Sequence, residues 1–275
     1  MRVVKTVFLI GTMALAVTAQ ASHFTNLEGS PELRSASALV IGGDGAVIYG
    51  KDIDTVRPVA SITKLMTAMV IIDSGLDLEE KITVTRDDRD LVQLTGSRLE
   101  YGASLTRREM ILLAIMSSEN RAATALGRNW PGGMAQFVEA MNTKAAKLGM
   151  SSSHFADPAG LSVENTSTAR DLMKMLTTAN TYELIRQAST TTRIEVHPYA
   201  KRGPLVYGNT NRLLKNETWD IELGKTGYIN EAGRCLVMQA NIEGEQVSIV
   251  LLNSFGKLTP FGDSNRLRKW MLTEG

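Results

Sequence analysis

Apolar and polar positions along the chain change period three times, and the changes sketch an architecture. Ser37–Ile41 and Ala46–Tyr49 are short β-prone runs on either side of Gly42-Gly43-Asp44-Gly45, which predicts a hairpin. From Ser61 to about Ser74 the apolar residues Ile62, Leu65, Met66, Met69 and Val70 recur at helical spacing. Thr106 followed by Glu109 is a capping-box pattern that opens a helix through about Met116. Met134–Leu148 continues in helical period, with Gly149 as its stop. Thr168 with Asp171 marks another helix start, running to about Thr178. After residue 188 the period turns to that of strands. Arg193–Val196, Cys235–Ile242 and Val247–Leu252 are predicted strands, the last two joined around Glu243-Gly244. Their apolar runs are nearly unbroken, which implies burial on both faces. Pro260–Leu272 closes the chain as a helix.

Strands at both ends and helices between them predict one antiparallel sheet flanked by helices, with an all-helical subdomain inserted at roughly residues 75–185. The fold class is α/β in the α+β sense. No repeat or linker divides residues 36–275, which are expected to form a single domain. Residues 22–35 have no periodicity and are expected to be a loose leader.

The first residues have another purpose. Arg2 and Lys5 form a basic start, an apolar run follows from Val7 to Val17, and Ala19-Gln20-Ala21 supplies small residues. This is the three-part pattern of a secretory signal over residues 1–21, with cleavage expected after Ala21. The apolar run falls short of the about 20 residues a bilayer span needs. Removing the segment takes away two basic residues and no acid, so the mature chain carries one more acidic than basic residue. Neither a polybasic tail nor a later apolar stretch offers a membrane anchor. An exported protein, periplasmic in localisation, is expected.

Composition adds limits. The 275 residues are 43% hydrophobic and 21% charged, enough for a sizeable core. With 30 Lys and Arg against 29 Asp and Glu, no strong field points to nucleic acid. Cys235 is the lone cysteine, so neither an intramolecular disulfide nor a cysteine zinc cage is available. His23, His154 and His197 stand in no His-Glu-x-x-His pattern, and no Gly-x-Ser-x-Gly elbow occurs. Gly224-Lys225-Thr226 imitates the end of a phosphate-binding loop, but that loop needs glycine where Trp219 stands.

Three motifs remain, in order. Ser61-Ile-Thr-Lys64 opens the first long helix, and a spacing of three puts both side chains on one face. A serine needs an adjacent base to become a nucleophile, and a lysine whose pKa is lowered by burial or a second cation can be that base. The same spacing at Ser254-Phe-Gly-Lys257 lies where Gly256 and Pro260 oppose a helix. Ser118-Glu119-Asn120 falls at a helix junction; alone it is no more than a cap, while across a cleft Ser118 could relay a proton and Asn120 hold an amide. Lys225-Thr226-Gly227, at the start of the late strand region, offers a cation, a hydroxyl and a glycine that lets a substrate strand approach the backbone.

Together these motifs resemble the penicillin-binding proteins and class A β-lactamases. The resemblance runs from about Ala36 to the final helix. Pro58-Val-Ala-Ser-Ile-Thr-Lys-Leu-Met-Thr-Ala-Met69, Phe155-Ala-Asp-Pro-Ala-Gly-Leu161 and Gly224-Lys-Thr-Gly-Tyr-Ile229 are similar to the D-alanyl-D-alanine peptidases. The spellings around all three motifs look like the small penicillin-binding endopeptidases of the penicillin-binding protein seven type. The resemblance implies that Ser61 attacks the carbonyl of a D-Ala residue, with Lys64 as proton acceptor and Ser118 as proton relay. Asn120, Lys225, Thr226 and Gly227 would bind substrate, and the backbone N–H groups of Ser61 and Tyr228 would form the oxyanion hole. It implies no cofactor and no metal, with peptidoglycan peptide cross-bridges as substrate and β-lactam antibiotics as covalent inhibitors. A D,D-carboxypeptidase is the alternative. A β-lactamase is less well supported, because no Glu-x-x-Leu-Asn segment lies between Asn120 and Lys225. A non-catalytic β-lactam sensor would be expected behind membrane helices.

Overall fold

The computed structural model describes residues 23–24 and 26–274, so the signal pattern of residues 1–21 lies outside the described residues. The chain builds a five-stranded antiparallel sheet from its two ends. β1 (Ser37–Gly42) and β2 (Val47–Lys51) form the predicted hairpin. A long middle follows. It holds β3 (Arg57–Pro58), α1 (Thr63–Asp73), β4 (Lys81–Thr83), β5 (Ser104–Thr106), α2 (Arg107–Met116), α3 (Asn120–Arg128), α4 (Gly133–Lys147), β6 (Thr166–Ser167), α5 (Ala169–Ala179), α6 (Glu183–Thr190), β7 (Arg193–Val196) and β8 (Leu205–Gly208). The late strands β9 (Asp220–Ile229), β10 (Gly233–Ile242) and β11 (Glu245–Ser254) complete the sheet, and α7 (Thr259–Glu274) ends the described chain. The strand order is β2-β1-β11-β10-β9, so β11 lies beside β1 and β9 is an edge.

The late strands are buried on both faces because the sheet separates two cores. Successive side chains alternate across a strand. Val237, Val250 and Leu252 face the core shared with the middle helices. Leu236, Met238, Ile249 and Leu251 pack instead with Leu267 and Met271 of α7. Glu243 and Gly244, both at positive φ, close the β10–β11 hairpin in the geometry a two-residue turn requires. α1 is buried from Thr63 to Ile71, all round its surface, and forms the axis of the helical layer.

Some expectations are corrected. The inserted region is not purely helical: within it β4 pairs with β5, and β6 pairs with β3, which precedes it, in two-stranded ribbons. Arg193–Val196 is a strand, but it pairs with β8 outside the main sheet. Lys225-Thr226-Gly227 lies inside β9 rather than at the start of the strand region, because the half-buried polar stretch from Asp220 already pairs with β10. The described residues of the leader form no helix or strand, yet they are not loose. Phe24 and Leu33 are buried in the second core, and Ser35 donates its hydroxyl to Asp263 at 2.5 Å.

Candidate active site

The chain enters the site through a turn held from two sides. Between β3 and α1, residues Ala60–Ile62 make a 3-10 turn, with Ala60 at φ +48°. Gly160 presses on it so closely that a Cβ there would fall 2.0 Å from the Ala60 carbonyl oxygen. On β9, a Cβ at Gly227 would come within 2.9 Å of the Val59 oxygen and 3.2 Å of the Ser61 nitrogen. The sequence suggested that Gly227 admits a substrate strand. What it admits here is the chain's own turn, which brings Ser61 to the sheet edge.

Ser61 therefore sits in the middle of the turn, and α1 begins two residues on at Thr63. One turn on, Lys64 has no exposed surface. Its Nζ donates to Ser61 Oγ at 2.7 Å, to Asn120 Oδ1 at 2.8 Å and to the Ala159 carbonyl at 2.6 Å. Burial pushes its pKa from 10.5 down to about 7, against the opposing pull of Asp157, Glu119 and Asp90. Near neutral pH the amine thus exists in both forms, and the neutral form has a lone pair for the Ser61 proton.

A second buried lysine belongs to the late motif. Lys225, 1% exposed, donates from Nζ to Ser118 Oγ at 2.9 Å and to the Thr226 carbonyl at 2.8 Å. Burial lowers its pKa well below 10.5, and the charge of Lys64 lowers it further. Ser118 sits between α2 and α3 at φ +59°, a conformation that a non-glycine residue adopts at a cost of about 1 kcal/mol or more. The Glu119 N–H donates to the Leu113 carbonyl at 3.1 Å and fixes this junction. Asn120 opens α3. Thr226 Oγ1 donates to Thr210 Oγ1 at 2.7 Å. Tyr228 is 46% exposed, and the Arg234 guanidinium lies 3.5 Å from its ring centroid. Ser61, Ser118, Asn120, Thr226, Gly227 and Tyr228 all line one cavity of about 780 Å³. The motif residues, 166 positions apart from first to last, therefore meet at one place.

Two supports were missed. The carboxylate of Asp157 accepts from the N–H groups of Ala159, Gly160, Leu161 and Ser162, and from Asn165 Nδ2 at 2.5 Å. This wraps the loop so that the Ala159 carbonyl points at Lys64. Asp90 accepts the Thr95 hydroxyl at 2.6 Å, and Thr95 Oγ1 in turn accepts from Asn120 Nδ2 at 2.8 Å. The segment Phe155–Leu161 was visible as a resemblance, but no spacing rule ties Asp157 to a lysine 93 positions away. Other candidates fall outside. Ser254 is buried and within 2.7 Å of the Ser35 hydroxyl, and none of His23, His154 or His197 lines the cavity.

A serine held against a buried lysine, beside a sheet edge and a second serine–lysine pair, is the apparatus of an acyl-transferring serine peptidase. A family model described as D-alanyl-D-alanine carboxypeptidase matches residues 24–256, and the chain belongs to that family. It is 46% identical over 272 residues to a D-alanyl-D-alanine endopeptidase of Pseudomonas aeruginosa, covering 98% of this chain and 87% of the relative. To a D-alanyl-D-alanine endopeptidase of Escherichia coli it is 44% identical over 262 residues, covering 94% and 83%. The crystal structure of the Streptomyces K15 DD-transpeptidase superposes with a TM-score of 0.83 at 28% identity, covering 89% of this chain and 99% of that one. Penicillin-binding protein D2 of Listeria monocytogenes, in its cefotaxime-bound form, gives 0.77 at 26% identity, covering 90% and 100%. Among the described residues no helix is long and apolar enough to cross a membrane.

Proposed function

We propose that the protein is a D,D-endopeptidase that cuts the D-Ala–diamino acid cross-links of peptidoglycan in the periplasm, through an acyl-enzyme on Ser61. The observation that carries the reading is the 2.7 Å contact between Ser61 Oγ and a Lys64 whose pKa falls to about 7. Neutral Lys64 takes the Ser61 proton as Oγ bonds to the D-Ala carbonyl carbon. Charge on the carbonyl oxygen is met by the Ser61 and Tyr228 backbone N–H groups. The C–N bond then breaks, and Ser118 passes a proton to the departing amine. Asn120, fixed by Thr95, orients the acyl side; Lys225 and Thr226 hold the carboxylate next to the amide. Water adds to the ester, restores the Ser61 hydroxyl and releases the free D-Ala carboxyl. β-Lactams enter the same route and stop at the ester. Supporting the endopeptidase choice over the carboxypeptidase is the 46% and 44% identity to two endopeptidases.

The test has two arms. Labelled penicillin should be bound by the wild type and lost in Ser61→Ala, with labelling elsewhere overturning the assignment of Ser61. Purified cross-linked dimer muropeptide should be cut faster than D-Ala is released from a monomeric pentapeptide. Rapid D-Ala release with an intact dimer would make the enzyme a carboxypeptidase.

A further inference from the structure

The cavity that holds Ser61 is ringed on its outer part by cations that the reaction above does not use. Arg212, Lys215, Arg234 and Lys257 all line it, and none of the described side chains lining it is acidic. Arg212 and Lys215 belong to one 3-10 turn, Arg212–Lys215, capped by Asn211 Oδ1 accepting from the Leu213 N–H at 3.1 Å. Side chains three apart eclipse in a 3-10 helix. Leu213 is therefore buried in the second core while Arg212 and Lys215 stand together, exposed, on the cavity side. The loop before them is anchored: Thr210 N–H donates to the Met116 carbonyl at 3.0 Å, and Asn209 Nδ2 donates to Ser189 and Thr191 carbonyls, both at 2.9 Å. Thr210 is also the partner of Thr226, which places this turn next to the carboxylate-gripping end of the site. Among the described residues, the side chains of Arg212, Lys215 and Lys257 make no hydrogen bond or ion pair, and Arg234 is held only by the ring of Tyr228.

Four cations sharing one concave wall, without an acid to offset them, repel one another and focus a positive field into the cavity. That arrangement lowers its free energy when it receives more than one negative charge. Lys225 and Thr226 already account for the single carboxylate next to the scissile amide. We infer that Arg212 and Lys215, flanked by Arg234 and Lys257, form a leaving-strand subsite for further carboxylates of an anionic cross-linked peptide, and that it selects such substrates over a chain ending in one D-Ala. The inference rests on the endopeptidase reading and deepens it. Exposed cations act through long-range attraction and charge-assisted hydrogen bonds, so the subsite works through substrate affinity and weakens with salt.

The experiment compares wild type with the double variant Arg212→Gln, Lys215→Gln on three substrates: a cross-linked muropeptide dimer, the same dimer with its leaving-strand carboxylates amidated except the one next to the scissile amide, and a monomeric pentapeptide. The rate of acylation by fluorescent penicillin, which brings a single carboxylate, is the independent readout of an intact Ser61 site. The wild type should have a KM for the free dimer roughly tenfold below that for the amidated one, the size of a charge-assisted contact. The double variant should lose that difference and the accompanying salt dependence, while penicillin acylation stays within about twofold, as expected for substitutions on an exposed rim. A variant that cuts the free dimer like wild type, or a wild type that cuts free and amidated dimers alike, overturns the subsite alone. Penicillin acylation that falls in step with dimer cleavage overturns it too, because the two residues would then be supporting Ser61. A wild type that leaves the dimer whole while trimming the pentapeptide overturns the endopeptidase reading and the subsite with it.

Discussion

Lys64 is where chemistry and stability pull against each other. In the fold its pKa sits at about 7 because it is buried, whereas the unfolded chain restores the ordinary value near 10.4. A base with a depressed folded pKa leaves the unfolded state the better proton binder between those two values. Its penalty on folding is therefore complete below pH 7 and fades as the pH rises toward 10. Lys64→Met keeps an apolar stem of similar length and removes the titration. The difference in unfolding free energy between wild type and this variant should accordingly shift in favour of wild type by about 1.4 kcal/mol per pH unit from pH 7 to 10. Denaturant titrations at several pH values check this, and a pH-independent difference would sink it. The same variant should lose penicillin acylation by roughly 100-fold or more, as removal of a positioned base does. In the wild type, acylation should climb with pH through about 7, as Lys64 gives up its proton.

Elements show which glycines do structural work. Gly149 and Gly160 both have positive φ, at +69° and +75°, but only Gly160 has the Ala60 backbone where a Cβ would go. Around Gly149 there is nothing within 4 Å. Gly149→Ala should therefore cost about 1 kcal/mol, the left-handed strain alone, and leave acylation untouched. Gly160→Ala should cost more than about 2 kcal/mol and also slow acylation, since relief of the clash moves the turn that carries Ser61. Equal losses of stability and unchanged acylation in both variants would refute the pinch. The sequence pattern located elements where local chemistry is strong. Thr106 and Glu109 make the capping box expected of them, each bonding the other's backbone, and Thr168 accepts the Asp171 N–H at 3.1 Å as a helix cap. Glu243-Gly244 turns the hairpin it predicted. What stayed hidden depended on distant partners. α6 is a short helix whose Ile185 and Ala188 are buried, too few apolar positions to mark a period against its polar residues. The first half of β9 carries Asp220 and Glu222 and becomes a strand through pairing with β10. Ser61, Lys64, Ser118 and Lys225 were legible because their spacing and order are chemical; Asp157, Thr95 and Asp90 were not, because their contacts exist only after loops fold together.

At the scale of the whole molecule, the sheet joins strands from early and late in the described chain, and the segment before β1 helps close the second core. Phe24 and Leu33 are 4% and 8% exposed within the core that α7 covers. The hydroxyl of Ser35 bonds Asp263 at 2.5 Å, and Lys51 Nζ donates to the Leu33 and Ser35 carbonyls at 3.0 and 2.8 Å. Trp270 Nε1 donates to the Glu28 carbonyl at 2.7 Å. Each large apolar side chain buried here contributes about 1.5–3 kcal/mol, and each buried hydrogen bond about 1. Cleavage after Ala21 would leave all of these residues in the mature protein. A chain beginning at residue 36 would lack them and expose apolar surface on α7 and β10. Its melting temperature should fall by roughly 10 °C or more relative to a chain beginning at residue 22, taking several kcal/mol at about 2–4 °C each. Acylation by penicillin at low temperature should persist in the shorter chain, because none of the lost residues lines the Ser61 cavity. Thermal melts of the two chains decide the point: equal melting temperatures would mean that the segment merely lies on the surface, and loss of acylation in a folded shorter chain would mean that the second core positions the active site across the sheet.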